Sequence, residues 1–291
     1  MAEHVRDIKR RIRSIQNTEQ ITKAMEMVAA ARLRRAQERV ESARPYSEKI
    51  DDLIKKLAET FSEITHPLFL PRERRNVGYV VFTSDRGLCG AFNSHVIRRA
   101  EAEMAAQEEE VGLIVIGRKG RDYFQRRKYN ILAEFLAIGD EPVVSQAQGM
   151  ARTLVELYNG NIVDEVNLVY TEFISTGTQQ PVVFKLLPLA APQIEEGEER
   201  DEGTIPDYII EPSPQGVLEM LLPRFIEAEV FRALLEAKTS EHAARMVAMS
   251  NATENAGEII EQLTLLGNKL RQAAITKEIS EIVGGAEALK G

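Results

Sequence analysis

The sequence predicts a Rossmann-like α/β domain flanked by N- and C-terminal helices that pair as a long antiparallel coiled coil. Apolar heptads run through both ends of the chain, short β-branched segments alternate with helical ones in the middle, and residues 8–64 contain no glycine. These patterns divide the 291 residues into a coiled-coil helix (1–66), an α/β foot domain (77–190), an acidic and proline-containing linker (191–212) and a second coiled-coil helix (213–286).

The N-terminal helix has apolar residues at alternating steps of four and three, the spacing of a coiled-coil seam. The seam positions are Ile8, Ile12, Ile15, Ala29, Leu33, Ala36, Val40, Ala43, Ile50, Ile54, Leu57, Phe61 and Ile64. Between the two runs the register falls on Glu19, Thr22 and Glu26. There we expect the buried face to rotate by one position, onto Ile21, Met25 and Val28. Pro45 predicts a kink or a break in the helix.

The C-terminal helix repeats this spacing. Its seam consists of Met246, Met249, Thr253, Ala256, Ile260, Leu263, Gly267, Leu270 and Ala274. A helix as long as either of these cannot bury its apolar face alone, so we expect the two ends of the chain to pair with each other. Small residues on both seams favour close approach of the two backbones.

The middle of the chain alternates between strand and helix patterns. Strands are predicted at 78–83, 112–117, 165–173 and 182–189, and helices near 92–110, 118–128 and 143–159. This alternation predicts a largely parallel sheet covered by helices. The acidic run at 195–203 and the prolines that follow it predict an exposed loop before the second long helix.

Composition restricts the function classes. The net charge of −8 argues against a nucleic-acid-binding protein. Residues 1–60 nevertheless hold fourteen Lys or Arg against ten Asp or Glu, which is consistent with an acidic partner or with a solvated helix face. No segment has the length and hydropathy of a membrane span, and basic residues occupy the place of a signal-peptide core. The single Cys89 predicts a reducing compartment.

The residues do not predict an active site. The phosphate-binding pattern GxxxxGK[ST] is missing, and the four histidines do not form a zinc signature. The turn at 83–92 follows a strand and opens a helix, where an anion can bind, but it lacks the GxGxxG spacing. Cys89 in this turn is expected to be a buried structural residue. The basic segment 118–128 is expected to be a solvated helix face. We therefore predict no catalytic residue, cofactor or metal site.

Three segments resemble the gamma subunit family of bacterial F-type ATP synthases. They read ITKAMEMVAAA at 21–31, TSDRGLCG at 83–90 and AAITKEISEIVGGA at 273–286, and ARMVAM at 244–249 also matches. The resemblance implies a non-catalytic central-stalk rotor of a proton-translocating enzyme. The coiled coil would turn inside a ring of alpha and beta subunits, while the α/β foot would bind the epsilon subunit and rest on the membrane c-ring. The chain would be a peripheral protein at the cytoplasmic face of the cell membrane.

The resemblance also implies partner-binding residues. Those similar to contacts with the catalytic ring are Arg245, Arg271, Gln272 and Thr276. Those similar to the segment facing an acidic lever of the beta subunit are Met25, Arg32, Arg34 and Arg35. Tyr208 and Glu211 resemble positions that touch the c-ring.

Two positions depart from the family pattern. Gly267 stands where an aromatic residue is usual, and Ser250 where lysine is common, so the contacts of the upper shaft are left open. The missing side chain at Gly267 predicts a gap and a locally softer helix pair. From the residues alone two other classes also stay open: a nucleotide-binding α/β enzyme with helical oligomerisation arms, and a coiled-coil scaffold or nucleic-acid adaptor.

Overall fold

The computed structural model describes residues 2–60, 66–69, 72–189 and 213–288. In this part of the chain, two long helices flank a five-stranded sheet and three shorter helices. The elements are α1 (Ala2–Thr60), β1 (Asn76–Phe82), α2 (Phe92–Ala105), β2 (Glu110–Ile116), α3 (Arg118–Arg126), β3 (Ile131–Phe135), α4 (Val144–Asn159), β4 (Glu165–Phe173), β5 (Gln179–Leu187) and α5 (Pro214–Ala288). The predicted fold class is confirmed.

The sheet has the order β3-β2-β1-β4-β5. Its first three pairings are parallel, and β4 with β5 is antiparallel, as their short connection requires. The prediction missed β3, which has only five residues, none of them fully buried, and pairs with β2 through a register shift at Leu113/Ile114. Such a segment has neither the continuous apolar run nor the clean alternation that identifies a strand.

Alternate residues of β1 face two separate apolar layers. Val77, Tyr79 and Val81 belong to a cluster that includes residues of α2 and α3. Val80 and Phe82 belong to a larger cluster that also contains α4, Ile50 and Ile54 of α1, and part of α5. The carboxyl ends of the parallel strands therefore lie between these two helical layers.

The chain divides into two compact units, one formed by Met1–Ala30 with Arg245–Gly291 and the other by Ala31–Ala244. In the first unit the predicted seam is confirmed, because every seam position from Met246 to Ala274 is buried or half-buried. Ile8 lies opposite Gly267, and the Thr253 hydroxyl donates a hydrogen bond to the Thr22 hydroxyl at 2.8 Å. The two helix segments of this unit are therefore antiparallel.

The expected rotation of the buried face near residue 22 is wrong. Ile21 and Val28 are 60% and 50% exposed, whereas Thr22 is only 9% exposed. The seam keeps its register because its polar members are satisfied by hydrogen bonds: Thr22 donates to the Glu19 carbonyl and accepts from Thr253. The apolar residues beside the seam are left on the surface.

Pro45 does not divide α1, which is continuous from Ala2 to Thr60. Pro45 is exposed, so the carbonyl that loses its intrahelical hydrogen bond can be solvated by water. Within the described residues, no helix combines the length and hydropathy required to cross a membrane.

Candidate functional site: surfaces of the long helices and the sheet edge

The last part of α5 is an exposed helix with an apolar stripe. Since Gly267 lies opposite Ile8 and the helices are antiparallel, residues 275–286 run past the first residue of α1. All of their side chains are exposed. The stripe, which we call the tip stripe, consists of Ile275, Ile279, Ile282 and Val283, which are 49–66% exposed. An apolar stripe of this kind on a helix indicates a binding surface.

Three predicted partner-binding residues flank the tip stripe. Arg271, Gln272 and Thr276 are exposed. The backbone carbonyl of Thr276 accepts a hydrogen bond from the Ser280 hydroxyl. The structure thus brings these three residues together with the tip stripe within four helical turns. A cation, an amide and a hydroxyl beside apolar residues can both bury area and donate hydrogen bonds.

The predicted basic group on α1 is partly neutralised within the chain. The guanidinium of Arg32 lies 2.8 Å from the Asp140 carboxylate, and that of Arg35 lies 3.6 Å from Glu141. Arg34 pairs only within its helix among the described contacts, at 3.4 Å from Glu38, and its side chain is 85% exposed. Arg34 is therefore the member of the group with the most surface to offer another molecule.

The remaining predicted residues are scattered. Met25 is half-buried on α1, and Arg245 is buried, with 9% of its surface exposed. Tyr208 and Glu211 lie outside the described residues, as does the whole of the predicted linker at 191–212.

The turn after β1 is held by Asp85. Its carboxylate accepts hydrogen bonds from the backbone N–H groups of Arg118, Ala137 and Ile138 at 3.1–3.2 Å. Arg118 is the first residue of α3, so a carboxylate of the protein itself occupies the position where the helix would attract an anion. Gly117 before it has φ of +89°, and a Cβ there would come within 2.2 Å of the Thr83 carbonyl oxygen. The turn is built for close backbone packing.

Cys89 is buried in the same turn, as predicted. The Asn93 amide donates to its sulfur at 3.3 Å, and the Ser84 hydroxyl lies 3.7 Å from it. Neither of these two side chains is a base, so neither would activate the thiol as a nucleophile.

A cavity of about 370 Å³ lies between α1, β5 and α5 in the second unit. Its walls include the carboxylates of Glu172, Glu229 and Glu236, and Phe184. Burial lowers the pKa of Arg232 in this wall, but the hydrogen bond to Glu229 at 2.6 Å, the charge of that carboxylate and the contact with Tyr170 together raise the pKa above its ordinary value. Arg44 also lines the cavity, so its wall carries two arginines against three carboxylates, a balance that does not favour phosphate. Across the described residues, no cluster of three His, Cys, Asp or Glu is placed to hold a metal ion.

Asp140, Glu141 and Arg39 were not predicted from the sequence as part of a site. Arg39 donates to the Glu141 carboxylate at 2.6 Å and to the Pro142 carbonyl at 3.3 Å. Two consecutive acidic residues follow Gly139 in the sequence. Their partners lie about a hundred residues earlier, so a local sequence pattern does not connect them. The tip stripe could have been recognised from its steps of four and three.

Comparison with known proteins gives consistent matches over the whole chain. A family profile described as ATP synthase matches residues 4–289. The ATP synthase gamma chain of Moorella thermoacetica is 52% identical over 287 residues, which cover 99% of each chain. That of Pelotomaculum thermopropionicum is 51% identical over 286 residues, 98% of this chain and 99% of the other. The fold is similar to a chain of the Euglena gracilis mitochondrial ATP synthase rotor, with a TM-score of 0.66 and 20% identity, covering 94% of this chain and 100% of that one.

Proposed function

We propose a rotor function for this chain, which belongs to the ATP synthase gamma chain family. The chain is a non-catalytic central-stalk subunit. It couples rotation of a proton-driven membrane ring to ATP synthesis or hydrolysis at a ring of alpha and beta subunits. The observation that carries this proposal is the tip stripe beside Arg271, Gln272 and Thr276, on a helix that extends past its intramolecular partner.

The tip stripe supports the catalytic ring as a partner. Four large apolar side chains on one helix are costly to leave in water, at roughly 25 cal/mol for each Å² of apolar surface. A surrounding sleeve can cover them at every rotation angle, since apolar contact is not directional. Arg271, Gln272 and Thr276 then supply contacts whose energies differ between angular positions, which is what a rotor must impose on its stator.

The basic group supports a second contact, with an acidic segment of the beta subunit. Of its members Arg34 is the most exposed, and we assign it the main role, with Arg32, Arg35 and Met25 beside it. An exposed ion pair contributes less than about 1 kcal/mol, so such a contact can form and break as the chain turns. Arg245 is buried and would act by positioning the helix rather than by direct contact.

The α/β domain supports the other proposed contacts. We assign this domain to the c-ring and the epsilon subunit, and we assign Tyr208 and Glu211, in the linker that follows it, as c-ring contacts. The working division is the one predicted from the sequence: coiled-coil helices at 1–66 and 213–286, a foot at 77–190 and a linker at 191–212. This arrangement makes the chain a peripheral protein at the cytoplasmic face of the cell membrane.

Charge reversal at the tip tests the catalytic-ring contact. In ATP synthase assembled with this chain, Arg271→Glu should lower the number of protons pumped per ATP hydrolysed, measured in inverted vesicles by quenching of a ΔpH-sensitive dye alongside phosphate release. Lys269→Glu reverses an exposed charge on another side of the same helix and is the matched control. Equal pumping ratios for both variants and the unsubstituted chain would remove Arg271 from the proposed contact.

A charge exchange tests Arg34. Arg34→Glu should lower the same ratio by repulsion from the acidic segment. The double variant Arg34→Glu/Glu38→Lys restores the pairing within α1 but not a contact with another subunit. If the double variant recovers full coupling, Arg34 only stabilises its own helix.

A further inference from the structure

We propose that Asp85 is the positioning residue of a charged clasp that holds α1 to the α/β domain. The clasp consists of the loop at residues 137–142 and three arginines on one side of α1: Arg32, Arg35 and Arg39. The proposal rests on the proposed rotor function only for its consequence, which is the transfer of torque between the α/β domain and α1.

Asp85 joins the turn after β1 to two other loops at the carboxyl edge of the sheet. One oxygen accepts from the N–H of Arg118 at 3.2 Å and of Ala137 at 3.1 Å, and the other accepts from Ile138 at 3.1 Å. Hydrogen bonds to an ionised acceptor are about twice as strong as those between neutral groups. A single carboxylate thus fixes the start of α3 and the start of the clasp loop.

The clasp loop has a backbone that needs such support. Ala137 has φ of +58° and Gly139 has φ of +82°, both in the left-handed region. For alanine this conformation is disfavoured and persists only where surrounding bonds impose it. The Asp85 carboxylate binds the N–H of Ala137 itself and of the next residue, and the Gln146 amide donates to the Ile138 carbonyl at 3.1 Å. The left-handed turn is therefore set by side chains rather than by local preference.

The turn aims two acids at α1. Asp140 lies 2.8 Å from Arg32, and Glu141 lies 2.6 Å from Arg39 and 3.6 Å from Arg35. Arg39 also donates to the Pro142 carbonyl, so its guanidinium binds both a side chain and the backbone of the loop. Each pair is partly exposed and weak alone, but three cations on consecutive helical turns and one loop form a network.

The clasp lies along α1 well away from the apolar anchor of that helix. Ile50 and Ile54 pack in the core beneath the sheet, whereas the clasp arginines are about three to six turns nearer the N-terminus. Two separated attachments resist bending and twisting of a helix far better than one. The TSDRGLCG turn therefore acts on the shaft helix through Asp85, which gives this turn a mechanical role.

The first test measures backbone amide hydrogen exchange in the full chain. Asp85→Asn keeps the shape but places an NH₂ group against N–H donors, so exchange at Ala137 and Ile138 should accelerate roughly ten- to a hundredfold. Asp122→Asn, which removes a carboxylate paired with Arg121, is the control and should leave both amides unchanged. Unchanged exchange in the Asp85 variant overturns the proposal.

A charge swap keeps the proposal testable if Asp85→Asn fails to fold. Arg39→Glu and Glu141→Arg should each accelerate exchange at the two amides roughly two- to fivefold, and the double variant should return toward the unsubstituted rate. Arg126→Glu reverses an exposed arginine on α3 and controls for net charge. The clasp is contradicted if the single variants leave amide exchange unchanged, or if exchange in the double variant is as fast as the two single effects combined.

The last test is made in the assembled ATP synthase. Either clasp single variant should lower proton pumping per ATP roughly twofold, and the charge swap should restore it. If the unsubstituted chain supports pumping and every clasp variant pumps equally well, the clasp is wrong and the rotor function stands. If the unsubstituted chain assembles and hydrolyses ATP without pumping, the rotor function itself fails.

Discussion

Substitution of Gly267 tests how closely the two long helices approach each other. The sequence predicts a gap at this position, because glycine has no side chain to fill the seam. The structure closes it: a Cβ added to Gly267 would lie 3.3 Å from Cγ2 of Ile8, which is itself only 8% exposed. The backbones have approached until one methyl group almost fills the space between them.

The geometry sets the expected magnitudes. Alanine in place of glycine inside a helix stabilises by about 1 kcal/mol. At Gly267 part of this gain is lost, because Ile8 must move by a few tenths of an ångström to accept the new methyl group. We expect a net gain of about 0.5 kcal/mol, or roughly 1–2 °C in melting temperature. At Gly257 the new Cβ would meet only a Glu19 oxygen at 3.7 Å, so Gly257→Ala should give the full gain. Gly267→Tyr should cost about 1–3 kcal/mol by overpacking.

The assay is thermal and urea unfolding of the full chain, followed by circular dichroism at the helical band. The predicted order of stability is Gly257→Ala, then Gly267→Ala, the unsubstituted chain and Gly267→Tyr. A tyrosine variant as stable as the alanine variant would show that room for a ring persists between the helices. A loss of more than about 1 kcal/mol in Gly267→Ala would show that the backbones already touch.

The remaining predictions concern chemistry and pH. Cys89→Ser should leave the ATPase activity of the assembled enzyme within about twofold, since the thiol is buried against the side chains of Asn93 and Ser84, which are not bases; a loss beyond tenfold in a folded variant would give the thiol a chemical role. The full chain should bind no ATP with micromolar affinity; calorimetry that finds one tight site per chain would revive the enzyme interpretation. Burial raises the pKa of Glu165, but the hydrogen bonds from Lys185 and Asn167 and the positive charges of Lys185 and Arg74 together lower it more, to a net value below the ordinary 4.5. Its contribution to stability is therefore present above pH 4.5 and lost as the pH falls through the lowered pKa. Glu165→Gln should cost about 1–3 kcal/mol at pH 7 and progressively less in acid; a cost that stays constant down to pH 3 would show that ionisation of Glu165 is not its source.

Local periodicity was enough to predict the long helices and their seam. Steps of four and three identify the buried face of α1 and α5 because burial along a helix repeats with the helical turn. The same rule gave a wrong prediction at Thr22, because it considers only where the apolar residues lie. It does not include the hydrogen bond from Thr253 on the other helix, which satisfies the buried Thr22 hydroxyl. Ile21 and Val28 are therefore exposed. A sequence pattern does not distinguish an apolar surface that binds another subunit from one that is buried within the chain.

The candidate site could be predicted only where its residues are local in sequence. Thr276 lies inside the terminal block at 273–286, and Arg271 and Gln272 lie directly before it, so a local resemblance was enough to name all three. Their contacts with partners stay a prediction. Arg32 and Arg35 were predicted as partner contacts, and no local pattern indicates that they also pair with a loop about a hundred residues later. Long-range ion pairs depend on the strand order, which no local pattern contains. For the same reason β3 was missed, because its pairing with β2 is a property of the assembled sheet.

Rotation of single molecules tests the central claim most directly. Because Cys89 is buried, Arg126→Cys in a Cys89→Ser background places one accessible thiol on the exposed surface of α3, to which a bead can be attached. The catalytic ring of alpha and beta subunits assembled with this chain is fixed to a glass surface and supplied with ATP. We predict that the bead turns continuously in one direction, and that it stops when ATP is removed. Steady ATP hydrolysis with a bead that does not turn would contradict the proposal that this chain is the rotor.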